Sequence, residues 1–297
     1  MCGTCGCSDT ANAVTITDPE TGETQVMRQG SILNVPKSPA SHDHHGHDHN
    51  HGQDHDHEHD HDHHHHEGDD QPHMHGPGGE IISLETAVLQ KNDQIALKNR
   101  GWFEGRGVLA LNLVSSPGAG KTTLLEATIS ALKEELEIAV IEGDQMTAND
   151  AERIRKAGAK ALQINTGAGC HLEADMVSSA VKTLNPSTGS ILFIENVGNL
   201  VCPAMFDLGE HMKVAIISTT EGEDKPLKYP HMFRASNLVV VNKMDLAPHV
   251  DFDEATCLEN IKTVNPDAKI ILLSAKSSDG MDQWLSFLRD QTSVVAA

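Results

Sequence analysis

Aromatic residues are scarce in this sequence, and basic residues are missing from one long part of it. Phe, Trp and Tyr make up 3% of the 297 residues, so the core must be built from aliphatic side chains. Residues 41–80 contain no Lys or Arg but hold 11 acidic residues and 16 of the 20 histidines. From residue 81 onward there are 20 basic and 28 acidic residues, a formal charge of −8. A moderately acidic domain of this kind does not offer a nucleic-acid surface.

Long apolar runs are also absent, and the cysteines do not form a disulfide pattern. No uninterrupted apolar run reaches the ~20 residues that a membrane helix needs. The N-terminus lacks the basic and apolar segments of a signal peptide. Six cysteines, three of them within the first seven residues, do not resemble the framework of a secreted domain. We therefore expect a reduced, cytoplasmic chain that is not inserted into a membrane.

The first seven residues carry three thiols, those of Cys2, Cys5 and Cys7. The glycines between them let the backbone fold around one centre, and thiolates favour zinc, copper(I) or nickel. If Met1 is removed, the amine of Cys2 becomes a fourth donor, and three sulfurs with one nitrogen would suit square-planar Ni²⁺. Zn²⁺ would accept the same donors. A redox Cys-x-x-Cys, or a tail without a role, is the alternative interpretation.

A polar segment, residues 8–39, is interpreted as a linker, and a His/Asp tract follows it at residues 42–75. Such a composition cannot bury a core, so we expect disorder without metal. Neutral imidazoles would bind nickel and zinc at many interchangeable sites, which buffers metal without positioning it. A solvated spacer is the alternative. The predicted divisions are residues 1–40 for the cysteine motif and linker, residues 41–79 for the His-rich segment, and residues 80–297 for a globular domain.

A glycine-rich segment, residues 115–123, lies between an apolar run at residues 108–114 and a helix-forming run at residues 124–133. Strand, glycine-rich turn ending in Gly-Lys-Thr, then helix is the context of a phosphate-binding P-loop. Lys121 should reach the terminal phosphates, and the Thr122 hydroxyl should hold Mg²⁺. Ser115 replaces the first glycine of the pattern, so its backbone must avoid conformations reserved for glycine. The expected nucleotide contacts here are Gly118, Ala119, Gly120, Lys121, Thr122 and Thr123.

Two further apolar runs end in carboxylates. Residues 138–141 lead to Asp144, and residues 191–194 lead to Glu195, with Gly198 three positions later. Carboxylates at the carboxyl ends of strands in an open α/β sheet face the ligand crevice. We expect Asp144 to coordinate Mg²⁺ directly or through water, and Glu195, which stands where Asp is usual, to act through water or as a base. The Gly198 amide should sense the γ-phosphate. Lys121, Asp144, Glu195 and Gly198 are the expected catalytic residues.

The nucleotide base is indicated by Asn242-Lys243-Met244-Asp245, which follows an apolar run at residues 238–241. The Asp245 carboxylate can accept two hydrogen bonds from the guanine ring N–H and amino group, which adenine does not present together. The stem of Lys243 can lie over the base, while Asn242 braces the neighbouring loop. A second loop, Ser274-Ala275-Lys276, offers a backbone amide to the guanine O6. The sequence therefore predicts GTP.

A second candidate metal site consists of Cys170, His171 and Cys202, which follow two different strand ends. Two thiolates and one imidazole would bind zinc or nickel, but incompletely for a closed structural site. The same residues of a second copy could complete the site across a two-fold axis. A lone cysteine is usually a small buried hydrophobe, which is the interpretation adopted for Cys257.

The motifs together predict an α/β fold: a P-loop GTPase domain with a mostly parallel sheet flanked by helices, preceded by the disordered metal-binding region. Helices are expected over residues 84–99, 149–157 and 253–264. A further helix is expected to carry Leu172, Met176, Val177 and Val181 on one side. Residues 221–226 are expected to form a long, mobile polar loop.

The chain resembles a known family in all of these motifs. The cysteine motif, His tract, P-loop, Glu142-Gly-Asp-Gln145, Gly169-Cys-His171, Glu195-Asn-Val-Gly-Asn199, Cys202-Pro203 and Asn242-Lys-Met-Asp245 are similar to those of the HypB family, the nickel-incorporation GTPases of [NiFe]-hydrogenase maturation. Ser115 and Glu195, unusual for GTPases in general, match this family. The resemblance implies a homodimer promoted by GTP, a nickel chaperone of the HypA family as partner, and the hydrogenase large-subunit precursor as client.

Such a chain would use GTP and Mg²⁺ to order the loops at Asp144 and Glu195 and thereby change metal affinity at Cys170, His171 and Cys202. Storage of Ni²⁺ in the His tract would be an additional role. Two alternatives remain open at this level. One is a urease-accessory GTPase, which Cys-Pro-Ala at residues 202–204 argues against. The other is a nickel or zinc store whose GTPase is vestigial.

Overall fold

The computed structural model of the chain describes residues 14–17, 24–27, 73–75, 81–144, 149–167 and 169–297. The strands and helices in chain order are β1 (Val14–Thr17), β2 (Thr24–Met27), β3 (His73–His75), β4 (Ile81–Ser83), α1 (Leu84–Gly105), β5 (Leu109–Ser115), α2 (Lys121–Leu132), β6 (Ile138–Asp144), α3 (Asn149–Ala157), β7 (Lys160–Asn165), α4 (Ala174–Leu184), β8 (Ile191–Glu195), β9 (Met212–Ser218), α5 (Lys225–Lys228), α6 (Pro230–Ala235), β10 (Leu238–Asn242), α7 (Glu254–Val264), β11 (Lys269–Leu272) and α8 (Met281–Val295).

Nine strands form one sheet in the order β11-β10-β9-β5-β8-β6-β7-β1-β2. The seven strands from β5 to β11 pair in parallel, and the β1–β2 hairpin adds two antiparallel strands at the β7 edge. The crossover helices needed between parallel strands bury the sheet on both sides, which explains why the strands read as continuous apolar runs. All seven parallel strands present their carboxyl ends at one edge of the sheet.

The core lies on both faces of this sheet. Leu109, Leu111 and Leu113 of β5 pack with helices α2 and α8, where the Trp284 indole donates a 2.8 Å hydrogen bond to Thr128 Oγ1. On the opposite face, Ala110 belongs to the cluster of α1 and α4. A third cluster lies beneath α6 and α7 and includes Cys257, which is buried as the sequence predicts. Neighbouring residues of β5 alternate between the two faces because side chains along a strand do so.

Most expected elements are present, with three differences. Two segments of the expected linker, β1 and β2, pair with the sheet. Leu172 precedes α4, and its buried side chain belongs to the loop after β7. The expected mobile loop at residues 221–226 contains part of a 3-10 turn and the start of α5, and Ser218 and Glu221 cap that turn reciprocally. Such a capping box satisfies backbone N–H groups that a loop would leave to solvent.

In a separate unit of the described chain, β3 pairs antiparallel with β4, and His73 is opposite Ser83. The cysteine motif at residues 2–7 and residues 42–72 of the His tract lie outside the described residues. Within the described part of the chain, no helix has the length and apolar content needed to cross a membrane.

Candidate functional site

The P-loop connects β5 to α2 and is shaped by two glycines with positive φ. Gly118 and Gly120 have φ values of 79° and 97°, a region that L residues rarely adopt. A Cβ on Gly120 would lie 2.6 Å from the Asn242 amide nitrogen, so this position also lacks space. Ser115 is not among the non-glycine residues with positive φ, which agrees with the expectation for it. The loop backbone can therefore curl around an anion at the N-terminus of α2.

Lys121, the first residue of α2, is buried and donates a 2.7 Å hydrogen bond from Nζ to Ser115 Oγ. Burial lowers the Lys121 pKa, and the nearby Glu195 carboxylate opposes this shift. A group of phosphates would replace the single hydroxyl partner with several anionic oxygens. The serine that departs from the general P-loop pattern thus supplies the lysine's partner within the protein.

Two glutamates lie side by side at the ends of β6 and β8. Glu142 is opposite Glu195 in the strand register, and both are buried. Burial, with Glu195 as the next cause, raises the pKa of Glu142 to about 9. Burial also raises the Glu195 pKa, while Lys121 and a 3.0 Å hydrogen bond from Thr122 Oγ1 to Glu195 Oε1 oppose it. The Oε2 atoms of both glutamates lack hydrogen-bond partners among the described residues.

This donor set fits Mg²⁺. Carboxylates and a hydroxyl are the oxygen ligands that Mg²⁺ prefers, and a cation would compensate the two orphaned carboxylate oxygens. Asp144 closes β6 two residues after Glu142, on the same side of the strand. Sequence reasoning chose Asp144 and overlooked Glu142, although the alternation of side chains along the strand could have identified it.

The expected guanine-binding residues lie on adjacent loops that brace one another. Asn242 donates from Nδ2 to Ala119 O at 2.9 Å, and its Oδ1 accepts the backbone N–H groups of Lys243 and Ala275. Lys243 Nζ donates to Gly118 O at 2.6 Å. One amide side chain thus joins the P-loop to the loops after β10 and β11, as the sequence predicts for Asn242.

The remaining predicted nucleotide contacts lie around this brace. Asp245 Oδ1 accepts a 2.7 Å hydrogen bond from Ser274 Oγ, which orients the carboxylate. Lys276 and Thr123 are exposed. Gly198 lies directly against the P-loop, because a Cβ there would be 3.1–3.2 Å from three atoms of Pro117. The backbone after Glu195 therefore contacts the phosphate-binding loop where a γ-phosphate sensor is expected.

The structure brings Cys170, His171 and Cys202 together. Their ligand atoms lie within 4.8 Å of one another, and among the described residues this is the single such group of three. The Sγ atoms of the cysteines are 3.0 Å apart, and Cys170 Sγ is 3.6 Å from His171 Nδ1. The His171 ring packs on Phe206 with ring centroids 4.0 Å apart. Burial lowers the His171 pKa, which favours the neutral imidazole that binds metals.

Two asparagines after Glu195 join the strand end to the metal cluster. Asn196 Oδ1 accepts the backbone N–H of Leu172 at 3.1 Å, and Asn199 Nδ2 donates to Cys170 O at 3.3 Å. The loop that carries Cys170 and His171 is thus fixed to the segment that follows the Glu195 carboxylate. Sequence reasoning quoted both asparagines in a motif but gave them no role.

A buried ion pair supports the Cys202 turn. Lys213 Nζ donates to Pro203 O at 2.7 Å and to Phe206 O at 3.2 Å, and it lies 3.7 Å from Glu210 Oε1. Glu210 Oε1 accepts from Asn112 at 3.0 Å, and Asn112 Oδ1 accepts from Asn196 at 3.2 Å. Both metal loops are therefore held by one buried polar network.

A parallel sheet with a P-loop, paired strand-end carboxylates and an Asn-Lys-x-Asp brace defines a P-loop nucleotide-binding protein of the GTPase type. The family model described as CobW/HypB/UreG, nucleotide-binding domain, matches residues 109–272. A hydrogenase maturation factor HypB from Escherichia coli K12 is 47% identical over 294 residues, covering 98% of this chain and 99% of the relative. The chain belongs to the hydrogenase maturation factor HypB family.

Two solved structures of the family are similar to the described fold. HypB from Archaeoglobus fulgidus is 40% identical, with a TM-score of 0.65, over 68% of this chain and 99% of that one. HypB from Helicobacter pylori in complex with nickel is 39% identical, with a TM-score of 0.63, over 68% of this chain and 95% of that one. The fold class predicted from the sequence is confirmed by these structures.

Proposed function

We propose that this chain is a GTP-hydrolysing nickel metallochaperone that inserts Ni²⁺ into the [NiFe]-hydrogenase large-subunit precursor. The observation that carries the proposal is the contact of Asn196 and Asn199 with the Cys170–Leu172 loop, because these residues directly follow the Glu195 carboxylate. A change at the nucleotide would therefore move a metal ligand. The names of the relatives support the client, and the nickel complex of the Helicobacter pylori protein supports the cargo.

In this proposal the P-loop and its neighbours bind and hydrolyse GTP. Lys121 exchanges its Ser115 partner for phosphate oxygens, while Asp245, Lys243 and the Ser274–Lys276 loop select guanine. Thr122, Asp144 and Glu195 would hold Mg²⁺, with Glu142 supporting them from the neighbouring position on β6. Mg²⁺ at this place would neutralise developing phosphate charge. The backbone N–H of Gly198 would bind the γ-phosphate, so the position of the Asn196–Asn199 segment would depend on whether that phosphate is present.

The metal cluster supplies two thiolates and one neutral imidazole, a set that suits nickel or zinc. A second copy bound in the GTP state would complete the coordination, which gives hydrolysis a direct way to alter metal affinity. Cys2, Cys5 and Cys7 would form a separate loading site, and the His tract would store Ni²⁺. The proposed surroundings are the cytoplasm, a HypA-family nickel chaperone and the hydrogenase precursor.

The test is the affinity of the full chain for nickel and zinc, measured with GDP and with a non-hydrolysable GTP analogue. Coupling energies of this kind usually change affinity by about 5–150-fold and act equally in both directions. We expect such a shift in the wild type, its loss in Cys170→Ala and its retention in Cys257→Ala, which removes a buried cysteine outside the cluster. Identical affinities with both nucleotides in the wild type would leave a metal store joined to an uncoupled GTPase.

GTP hydrolysis is tested separately with two lysine variants. Lys121→Ala should lower GTP turnover by about 10²-fold or more, since it removes the buried cation at the phosphates. Lys228→Ala removes an exposed lysine from α5 and should change turnover little. Equal turnover in the two variants would contradict the assignment of the P-loop as the hydrolytic site.

A further inference from the structure

The two ring nitrogens of His171 face different neighbours. Nδ1 lies 3.6 Å from Cys170 Sγ. Metal–sulfur and metal–nitrogen bonds of about 2.3 and 2.0 Å at a tetrahedral angle separate their ligand atoms by about 3.5 Å, so this pair already has the spacing of two ligands on one ion. The ring packs on Phe206 with centroids 4.0 Å and planes 32° apart, which restricts its rotation. Nδ1 is therefore the nitrogen that would bind a metal together with Cys170 Sγ.

The other nitrogen, Nε2, is buried and has no hydrogen-bond partner among the described residues. A neutral imidazole carries one N–H, and a metal bonded to Nδ1 leaves that hydrogen on Nε2. Metal-ligating histidines almost always donate this second N–H to a carboxylate, a backbone carbonyl or water. His171 would therefore need an acceptor at Nε2 to serve as a metal ligand.

The nearest carboxylate to this nitrogen belongs to Glu173, two residues further along the chain. Glu173 Oε1 lies 3.8 Å from His171 Nε2, and the two side chains are 26% and 16% exposed. This distance exceeds an ordinary N–H···O hydrogen bond by roughly 0.6–1 Å, which a small rotation of the glutamate side chain can close. Glu173 can therefore supply the acceptor that Nε2 lacks.

Helix α4 does not engage this carboxylate. Glu173 is the N-cap residue of α4, but its side chain makes no capping hydrogen bond, and glutamate is not among the residues preferred for that task. Two asparagines of α1 hold the first residue of α4 instead. Asn92 Oδ1 accepts the Ala174 N–H at 2.9 Å, and Asn99 Nδ2 donates to Ala174 O at 2.8 Å. The backbone is thus fixed directly after Glu173, while the carboxylate lies beside His171.

We propose that Glu173 is a positioning residue of the metal cluster: its carboxylate accepts the Nε2–H of His171 and so keeps Nδ1 unprotonated and directed at the metal that Cys170 also binds. This deepens the proposed function and rests on it only in taking the cluster as a metal site. The hydrogen stays on Nε2, so the contact orients the imidazole and increases its basicity at Nδ1 without a proton transfer.

The tautomer of His171 can be measured without metal or nucleotide. Full-length protein labelled with ¹⁵N-histidine is studied by long-range ¹H–¹⁵N NMR at about pH 8, where an imidazole of ordinary pKa is neutral. The His171 signals are those that His171→Asn lacks. We expect the Nε2–H form in the wild type and in Glu173→Gln, whose amide oxygen is still an acceptor, and a mixture of both forms in Glu173→Ala.

Asp175→Asn is the matched control for this measurement. Asp175 lies in the first turn of α4, where its carboxylate accepts the Met176 N–H at 2.8 Å. Its replacement removes one negative charge from the same helix end and should leave the tautomer unchanged. A wild type in the Nδ1–H form, or a Glu173→Ala variant that keeps the Nε2–H form, would overturn the proposal.

Nickel affinity is then measured by competition with a chromophoric chelator. The contribution of the cluster is the difference between each protein and the same protein carrying Cys170→Ala. Glu173→Ala should lower this affinity by about 10–100-fold, the usual effect of losing a residue that orients a metal ligand, with partial recovery in Glu173→Gln. A melting temperature close to that of the wild type shows that each variant is folded. Equal losses in Glu173→Ala and Asp175→Asn would reduce the effect to net charge and overturn the positioning role.

Failure of this inference and failure of the proposed function give different results. If Cys170→Ala lowers nickel affinity but Glu173→Ala does not, the metal cluster stands and Glu173 has no part in it. If Cys170→Ala itself leaves nickel and zinc binding unchanged, the cluster is not a metal site and both proposals fail.

Discussion

The carboxylate of Glu142 is held in a place that opposes its ionisation. Its pKa is raised to about 9 by burial and by the Glu195, Asp150 and Asp144 carboxylates. In the unfolded chain a glutamate titrates near ~4.3, so between these values the folded state binds more protons than the unfolded state. Protein without Mg²⁺ and nucleotide should therefore lose stability as the pH rises through this window.

Glu142→Gln removes this pH dependence. At pH 8 the metal-free, nucleotide-free variant should melt above the wild type by about 2–4 °C, the shift that ~1 kcal/mol produces in a domain of roughly 200 residues. Towards pH 4.5 the difference should shrink, because at this pH the carboxyl of the unfolded chain also begins to bind its proton. Thermal melts at both pH values measure this. A variant that melts below the wild type at pH 8 would show that Glu142 is ionised and stabilised in the native state.

The buried Lys213 and Glu210 side chains support the turn that carries Cys202. Replacing both with neutral residues should therefore weaken metal binding. In Lys213→Met/Glu210→Gln, the carbonyls of Pro203 and Phe206 lose their donor while no unpaired charge is left buried. Residues that orient metal ligands typically contribute 10–100-fold to affinity. We expect at least a tenfold loss of nickel affinity with intact GTP binding, measured by calorimetry.

The control for this pair is Lys228→Met/Asp224→Asn, which removes an exposed ion pair of the same type. Exposed pairs contribute little, so neither affinity should change. Equal nickel affinities in the two double variants would contradict a positioning role for Lys213. A loss of both GTP and nickel binding in the buried variant would instead indicate general destabilisation.

At the same scale, sequence patterns identified the side chains that we propose contact ligands and overlooked the side chains that hold these residues in place. Lys121, Asn242 and Cys170 stand in motifs whose spacing has a chemical meaning. Glu142 and Asn196 acquire their roles next to residues far away in the chain, Glu195 and Asn112, and Lys213 acquires its role by contacting the carbonyl of Pro203 in the turn before β9. Those contacts depend on the strand order and on side-chain directions, which no local spacing encodes.

At the scale of secondary-structure elements, β6 lies directly against the metal loop at Gly143. A Cβ at this position would lie 2.8–2.9 Å from three atoms of the Leu172 side chain, nearer than real Cβ contacts allow. Gly143→Ala should therefore displace Leu172 and with it His171, and overpacking of this kind costs about 1–3 kcal/mol. We expect weaker nickel binding and a lower melting temperature.

Gly101→Ala provides the matched control. Gly101 lies within α1, and a Cβ there would meet no atom within 4 Å. Alanine in a helix interior is favoured over glycine by roughly 0.5–1 kcal/mol, so this variant should be slightly more stable with unchanged nickel affinity. If Gly143→Ala behaves like Gly101→Ala, the loop after β7 adapts to the extra methyl group and β6 does not constrain the metal ligands.

The parallel strands were predictable and the hairpin was not, for a physical reason. Buried strands such as β8 and β10 are apolar up to the polar functional residues at their ends, so each is recognisable alone, and β5 departs from this only at Asn112 before it ends at Ser115. β1 and β2 are four residues each, and β7, the strand with which β1 pairs, begins more than 140 residues after β1. Within Val14–Thr17 only Ile16 is buried in the structure. In the sequence, a segment of four residues that alternates between apolar and polar side chains is equally compatible with a linker.

At the scale of the whole molecule, the proposed function depends on self-association beside the metal cluster. Two exposed apolar residues, Val201 at 55% and Met205 at 51% exposure, flank Cys202. Apolar side chains next to an incompletely coordinated metal site would be covered if a second copy bound there across a two-fold axis. The metal ligands and the docking surface would then be the same region, which links dimerisation to metal affinity.

Met205→Asp should therefore prevent the dimer that we propose GTP promotes, because it would place a charge of equal sign on both sides of the two-fold axis. We expect at least a tenfold weaker dimer by light scattering and a nickel affinity that no longer responds to the nucleotide. Val294→Asp is the control, since Val294 on α8 is 69% exposed and far along the chain from Cys202. Dimerisation of Met205→Asp at wild-type strength would place the interface elsewhere. Nickel coupling that survives in a strictly monomeric variant would mean that the Asn196–Asn199 segment transmits the nucleotide state within one chain.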